Sequence, residues 1–238
     1  MDDSLNLETA GQGVAYTVTP SSNLTIFNPT DTPAVVTTND AGAVELGVKF
    51  VAAESGDITG IRFYKGPQNT GTHLGDLWTT NGVLLASATF TNESASGWQQ
   101  VNFATPVHVQ AGVTYIASYH TNTGQYSTTD FYFDNAGHTH GALTATGSGL
   151  NGVYAYGPGP LFPNTVSIVK AQNYWVDVVF RNTSQQPQAN NDSGFNVTEN
   201  GLLTIPASAL LANDTDPAAL SFAFTGVSSP LNGSVSYN

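Results

Sequence analysis

The sequence predicts an all-β chain built on an antiparallel β-sandwich, and three observations predict it. Apolar residues alternate with polar ones in short runs, as at Val44, Leu46, Val48 and Phe50 with Glu45, Gly47 and Lys49 between them. Clusters of Gly, Asn and Pro separate these runs, and no apolar stripe at helical spacing lasts three turns. The polar residues are those that strands and turns use: the 238 residues include 30 Thr, 21 Asn, 19 Ser, 10 Gln and 24 Gly. Charged residues make up only 9%, against roughly 25% in an ordinary soluble domain.

The expected strands run in order along the chain. Val14, Tyr16 and Val18 share one face of a strand expected at 11–19. The 44–50 run comes next, then Ile61 with Phe63, then Gln99, Val101 and Phe103. Val113, Tyr115, Ala117 and Tyr119 form a further strand, and Val176, Val178 and Phe180 close the series. Residues 182–192 are polar, contain Pro187 and carry no periodic apolar residue, which marks a linker. All five His, all three Trp and every Lys and Arg precede it. The expected organisation is an N-terminal extension at 1–22, a sandwich at 23–182, a linker at 183–190 and a second, truncated unit at 191–238. Within that tail, residues 208–212 are expected to make one helical turn and 233–237 a strand.

Composition limits the partners. The formal net charge is −12, and the five cations, Lys49, Arg62, Lys65, Lys170 and Arg181, are too scattered to form the basic stripe that nucleic acid requires. An anionic membrane repels such a chain, and no apolar run approaches the ~18 residues of a membrane span, so membrane insertion is not expected. Without cysteine there is no disulfide, thiolate metal site or cysteine catalysis. With 12 Phe, 10 Tyr and 3 Trp the chain has the material for a substantial core. Few Lys, many Thr, Asn and Gly, and no Cys suit a bacterial extracellular or cell-surface protein. Met1-Asp2-Asp3-Ser4 is acidic where a signal peptide is basic, so a fragment of a longer secreted chain, without its signal, is expected.

Six ordered blocks carry a family resemblance: 44–50; 60–66 with 69–78; Gly97-Trp98-Gln99; 111–115 with Ser118-Tyr119-His120; 152–156; and 173–180. They resemble the domain of unknown function 4082 (DUF4082) family of bacterial secreted and surface proteins over about residues 25–180. The resemblance implies an extracellular, jelly-roll-like β-sandwich, often joined to adhesion-type repeats or polysaccharide-acting enzymes, with no accepted chemistry. In the tail, 189–192, 199–201 and 210–217 resemble the opening of a bacterial cadherin-like or Ig-like tandem repeat. Such repeats continue acidic after Asp216-Pro217, whereas this chain continues Ala218-Ala219-Leu220, which weakens calcium ligation by Asp214 and Asp216.

Among chemistries, catalysis is not expected. No Gly-x-Ser-x-Gly elbow occurs, Gly147-Ser148-Gly149 lacks its flanking pattern, and the carboxylates are isolated in sequence. Spacing of i and i+2 puts His138 and His140 on one strand face, where they and Asp134 form a candidate metal site, with His73 and His120 as further imidazoles. Asp31, Asp40, Asp57, Asp76, Asp130 and Asp134 sit near Gly, Thr or Asn, where loops are expected, and are candidate oxygen ligands for a structural calcium ion. No organic cofactor is indicated.

The favoured function is carbohydrate binding, because a sugar presents an apolar ring face rimmed by hydroxyls and calls for an exposed aromatic beside polar groups. Lys65, His73 and Trp78 fall within one strand–loop–strand stretch, and His120, Tyr126, Tyr154 and Tyr156 add further candidates. Trp98 and Trp175 lie within strand patterns and are expected in the core. Asp177, inside an apolar strand, needs a cation, for which Lys65 or His73 is the expected partner. The expected partners are a polysaccharide or glycan and neighbouring domains of a longer chain. The alternatives are a structural or adhesive spacer in a long surface protein or filament and, last, a metal-assisted hydrolase.

Overall fold

The computed structural model describes residues 23–134, 136–147, 149–166, 170–182, 190, 192–198, 200–215 and 234–236. The chain divides into two units, Ser22–Ser184 and the remainder. The strand expected at 11–19, nearly all of the linker and residues 216–233 of the tail repeat lie outside the described residues. The described part of the tail holds one helical turn, Ala207–Leu210 (α1), entered from Pro206. Residues 234–236 are in no strand.

Ser22–Ser184 is an antiparallel β-sandwich. Its strands are β1 (Val44–Ala52), β2 (Gly56–Lys65), β3 (His73–Thr79), β4 (Leu84–Thr89), β5 (Gly97–Val109), β6 (Thr114–Thr121), β7 (His138–His140), β8 (Leu143–Ala145), β9 (Val153–Tyr156), β10 (Thr165–Val166) and β11 (Val176–Asn182). The larger sheet runs β10-β9-β1-β6-β3-β4, with β8 paired to the end of β1 and β7 to β8. The smaller sheet is β11-β2-β5.

The alternation that predicts the strands also fills the core. Val44, Leu46, Val48 and Phe50 of β1, with Ala117 and Tyr119 of β6, meet Ile58, Ile61 and Phe63 of β2 and Val176, Val178 and Phe180 of β11. Full burial of each large side chain contributes roughly 1.5–3 kcal/mol. Phe63 and Tyr119 stack across the sheets with ring centroids 4.1 Å apart. As expected, Trp175 is buried; Trp98 is half-buried, its indole N–H on the Asp31 carbonyl.

Two irregularities of the larger sheet shape its surfaces. Strand β1 pairs with β9 over residues 44–47 and with β8 over 50–52, which leaves Lys49 without a strand partner on that side. The Asn151 side chain supplies one: its Oδ1 accepts the Lys49 N–H and its Nδ2 donates to the Lys49 carbonyl, both at 2.8 Å. The other irregularity is a covering segment, residues 157–163, on the outer face. Phe162 lies against Trp78, with ring centroids 5.8 Å apart, in a small apolar cluster with Ile116 and Val153. The Gly159 nitrogen lies 3.2 Å from His120 Nε2, and the Leu161 N–H donates to Glu45 Oε2 at 3.4 Å. A Cβ on Gly159 would stand 2.2 Å from the His120 ring, so only glycine permits this approach. Strands β1, β3 and β6 are therefore covered on both faces.

The partner of Asp177 corrects one expectation. The cation beside it is Arg62, at 3.8 Å, and not Lys65 or His73. Strand register explains it, because Arg62 lies directly across the β11–β2 ladder from Asp177. The Asp177 carboxylate also accepts the N–H groups of Ile26, Phe27 and Val178.

Candidate functional site

The smaller sheet packs chiefly over β1, β6, β3 and β4. Strand β9 lies outside that cover, one strand beyond β1. Its residues Tyr154 and Tyr156 pair with Leu46 and Val44, so they point to the core side of the sheet where no second layer closes over them. Three loops close round the two rings instead.

The loop before β1 brings Asp40, the segment after β6 brings Tyr126, and the turn before β11 brings Tyr174. Ring centroids are 5.6 Å apart for Tyr154 and Tyr156, 6.3 Å for Tyr154 and Tyr174, and 5.7 Å for Tyr174 and Tyr126, each pair edge to face. The hydroxyls of Tyr156 and Tyr126 both donate to Asp40 Oδ2, at 2.5 and 3.3 Å. Tyr156, Tyr154, Tyr174, Tyr126 and Asp40 thus form a closed ring of contacts, with Tyr156 55% exposed and Tyr174 buried.

Gly152 makes the closure possible. It takes φ +73°, and a Cβ there would stand 1.8 Å from the Gln172 carbonyl oxygen. Only glycine lets the chain entering β9 come this close to the segment that carries Tyr174.

The electrostatics keep the carboxylate charged. Partial burial works against the Asp40 charge, but hydrogen bonds from Tyr156, the Gly42 N–H and Tyr126 outweigh it and hold its pKa below the usual carboxylate range. Burial, reinforced by the neighbouring carboxylate, pushes the Tyr126 and Tyr156 hydroxyls up. A polar rim continues the surface. Tyr174 donates to Gln172, Gln172 donates to Asp130 at 2.7 Å, and Lys170 pairs with Asp130 at 3.1 Å. Next to Asp130, Phe131 is 59% exposed at φ +60°.

Of the residues singled out for ligand binding, Tyr126, Tyr154 and Tyr156 come together here. The others lie elsewhere. Lys65 and His73 are buried and converge on Glu93, at 2.7 and 2.8 Å. Trp78 is buried under Phe162 with its indole N–H donating to Ser118, so it offers no face to a ligand. His120 is 2% exposed, beneath the covering segment beside Glu45 and Asp76.

The metal candidates do not converge either. His138 Nδ1 meets the Tyr132 hydroxyl, His140 Nδ1 meets the Thr25 carbonyl, Asp134 is exposed, and Asp130 is taken by Lys170 and Gln172. Among the described residues no group of three or more His, Asp and Glu side chains is arranged to hold a metal ion. Two members of the site carry no distinctive sequence signal. Asp40 is one of six carboxylates that the sequence assigns to loops, two of which, Asp57 and Asp76, lie in β2 and β3, and Tyr174 sits in an apolar run that signals a strand.

A family described as a domain of unknown function (DUF4082) matches residues 30–176. No curated protein matches the chain.

Proposed function

The chain belongs to the DUF4082 family, and from that premise we propose that it is a non-catalytic carbohydrate-binding module of a bacterial secreted or surface protein. The observation that carries the reading is the closed ring formed by four tyrosines and Asp40, with Tyr156 more than half-exposed. An exposed aromatic gives a pyranose its apolar face, and the tyrosine hydroxyls, Asp40 and the Gln172–Asp130 rim offer donors and acceptors to its hydroxyls.

The test is affinity electrophoresis and pull-down of the full chain against a panel of polysaccharides. Retardation by at least one polymer class, abolished by Tyr156→Ala at unchanged melting temperature, supports the reading. Binding that survives Tyr156→Ala places the site elsewhere, and no binding across the panel overturns the module.

A second reading, a spacer that packs against neighbouring domains, draws on Val83, Leu84 and Leu85. These consecutive exposed apolar residues are the residue before β4 and its first two, at the edge strand of the larger sheet. Concentration-dependent association of the full chain, lost on Leu84→Lys, favours it.

A further inference from the structure

We infer that the polymer held at the tyrosine ring is a cationic one, a polysaccharide whose sugar units carry protonated amino groups, with the ammonium on Asp40 and the sugar ring on Tyr156. The inference rests on the carbohydrate-binding reading and narrows it to a substrate class.

Charge placement is the first argument. Each of the five cations is engaged away from Asp40: Arg62 with Asp177, Lys65 with Glu93, Lys170 with Asp130, Arg181 with Asp57, and Lys49 on the Leu150 carbonyl. None forms an ion pair with Asp40. A uronic-acid polymer would meet a carboxylate with no neutralising cation, on a chain of net charge −12.

The second argument is the state of Asp40. Its Oδ2 accepts two tyrosine hydroxyls and its Oδ1 the Gly42 N–H, so the charge is held in place by neutral donors. An ionised carboxylate has about four lone-pair positions, and three donors leave one for a ligand. That position suits an ammonium, which gains a charge-assisted hydrogen bond that a neutral hydroxyl or an acetamide does not.

Ring geometry is the third. Gly42 packs against the Tyr156 ring and also donates to Asp40, so the loop before β1 holds the carboxylate beside the exposed aromatic of β9. A cation beside Asp40 also lies near tyrosine π-systems, which attract it. A neutral polymer would use the rings and leave the charge unanswered.

Calorimetric titration of the full chain with a glucosamine oligosaccharide, its fully N-acetylated counterpart and an oligouronate tests the inference, at mildly acidic and at alkaline pH. The ionisable groups facing Asp40 are Tyr126 and Tyr156, with Tyr154 and Tyr174 behind them, so a change between the two conditions reads the ligand amine. The amino form is expected to bind about tenfold or more tighter than the N-acetylated form at acidic pH. The advantage vanishes at alkaline pH, and Asp40→Asn removes it while Tyr156→Phe, which keeps the ring, retains it.

Equal binding of both forms, still sensitive to Tyr156→Ala, overturns the cationic assignment and leaves the carbohydrate module standing. Binding of the amino form that Asp40→Asn leaves unchanged assigns it to the diffuse negative charge and overturns the inference as well. Absence of binding by all three sugars also overturns it, while the wider polysaccharide panel separately decides the module.

Discussion

Nδ1 of His120 stands 3.3 Å from Oε2 of Glu45, with both side chains shut away from solvent on the outer face of the larger sheet. Asp76 joins them from β3, fully buried and facing the Glu45 carboxyl and Ser87. Burial and the Glu45 charge push the Asp76 carboxyl up to about 7. Burial alone would lower His120, but hydrogen bonds to Glu45 and Asn122 and the nearby carboxylate charges raise it. The covering segment 157–163 adds no ionisable side chain.

Both Asp76 and His120 therefore hold their protons in the folded chain at pH values where the unfolded chain has released them. Stability from this cluster is present at low pH and is lost as pH rises through about 7. Asp76→Asn mimics the protonated carboxyl, so its melting temperature is expected to decline less than the wild type's between about pH 5 and pH 8. Asp177, pushed up to about 6 by burial, slopes the same way in both proteins, so the difference reads Asp76 together with its coupling to His120. Parallel profiles would show that Asp76 does not titrate as the geometry requires.

The same cluster marks where sequence reading stops. Alternation in β1 identifies Val44, Leu46, Val48 and Phe50 as core because period two sorts residues by face. It also assigns Glu45 to the polar face, yet Glu45 is fully buried. Period reports which face a residue takes, not whether a distant segment covers that face. Residues 157–163 cover it, and they bury Trp78 and His120 by the same act. The tyrosine ring is half legible. Gly and Pro round Tyr126, Tyr154 and Tyr156 signal exposure, but only the β9–β1 pairing brings three loops to one place.

Asp177 gives the strongest stability prediction in the sandwich. Its carboxylate holds three backbone N–H groups and faces Arg62, whose guanidinium lies 4.4 Å above the Trp98 ring. Two of those N–H groups, of Ile26 and Phe27, belong to the segment that Asp177 ties to β11. Asp177→Ala is expected to cost about 3–5 kcal/mol, because it leaves a buried cation and three donors without their acceptor. Asp177→Asn keeps an acceptor oxygen and is expected to cost roughly 1–3 kcal/mol. Urea titration of both variants reads the difference, and a loss below that of Asn in the Ala variant would remove Asp177 as the anchor.

Gly152 and Gly149 separate backbone strain from the assembly of the tyrosine ring. Both take positive φ, +73° and +67°, in the loop between β8 and β9. A Cβ on Gly149 meets nothing within 4 Å, so Gly149→Ala carries only the left-handed penalty of about 1–2 kcal/mol. A Cβ on Gly152 strikes the Gln172 carbonyl at 1.8 Å, so Gly152→Ala also forces β9 away from the segment carrying Tyr174, and a total on the order of 3–5 kcal/mol is expected. Thermal melts check the two costs. At temperatures where both variants remain folded, Gly149→Ala should retain polysaccharide binding while Gly152→Ala loses it, because Tyr154 and Tyr174 no longer meet edge to face. Equal binding by the two would mean that the ligand needs the exposed Tyr156 alone, and that the buried half of the ring only supports it.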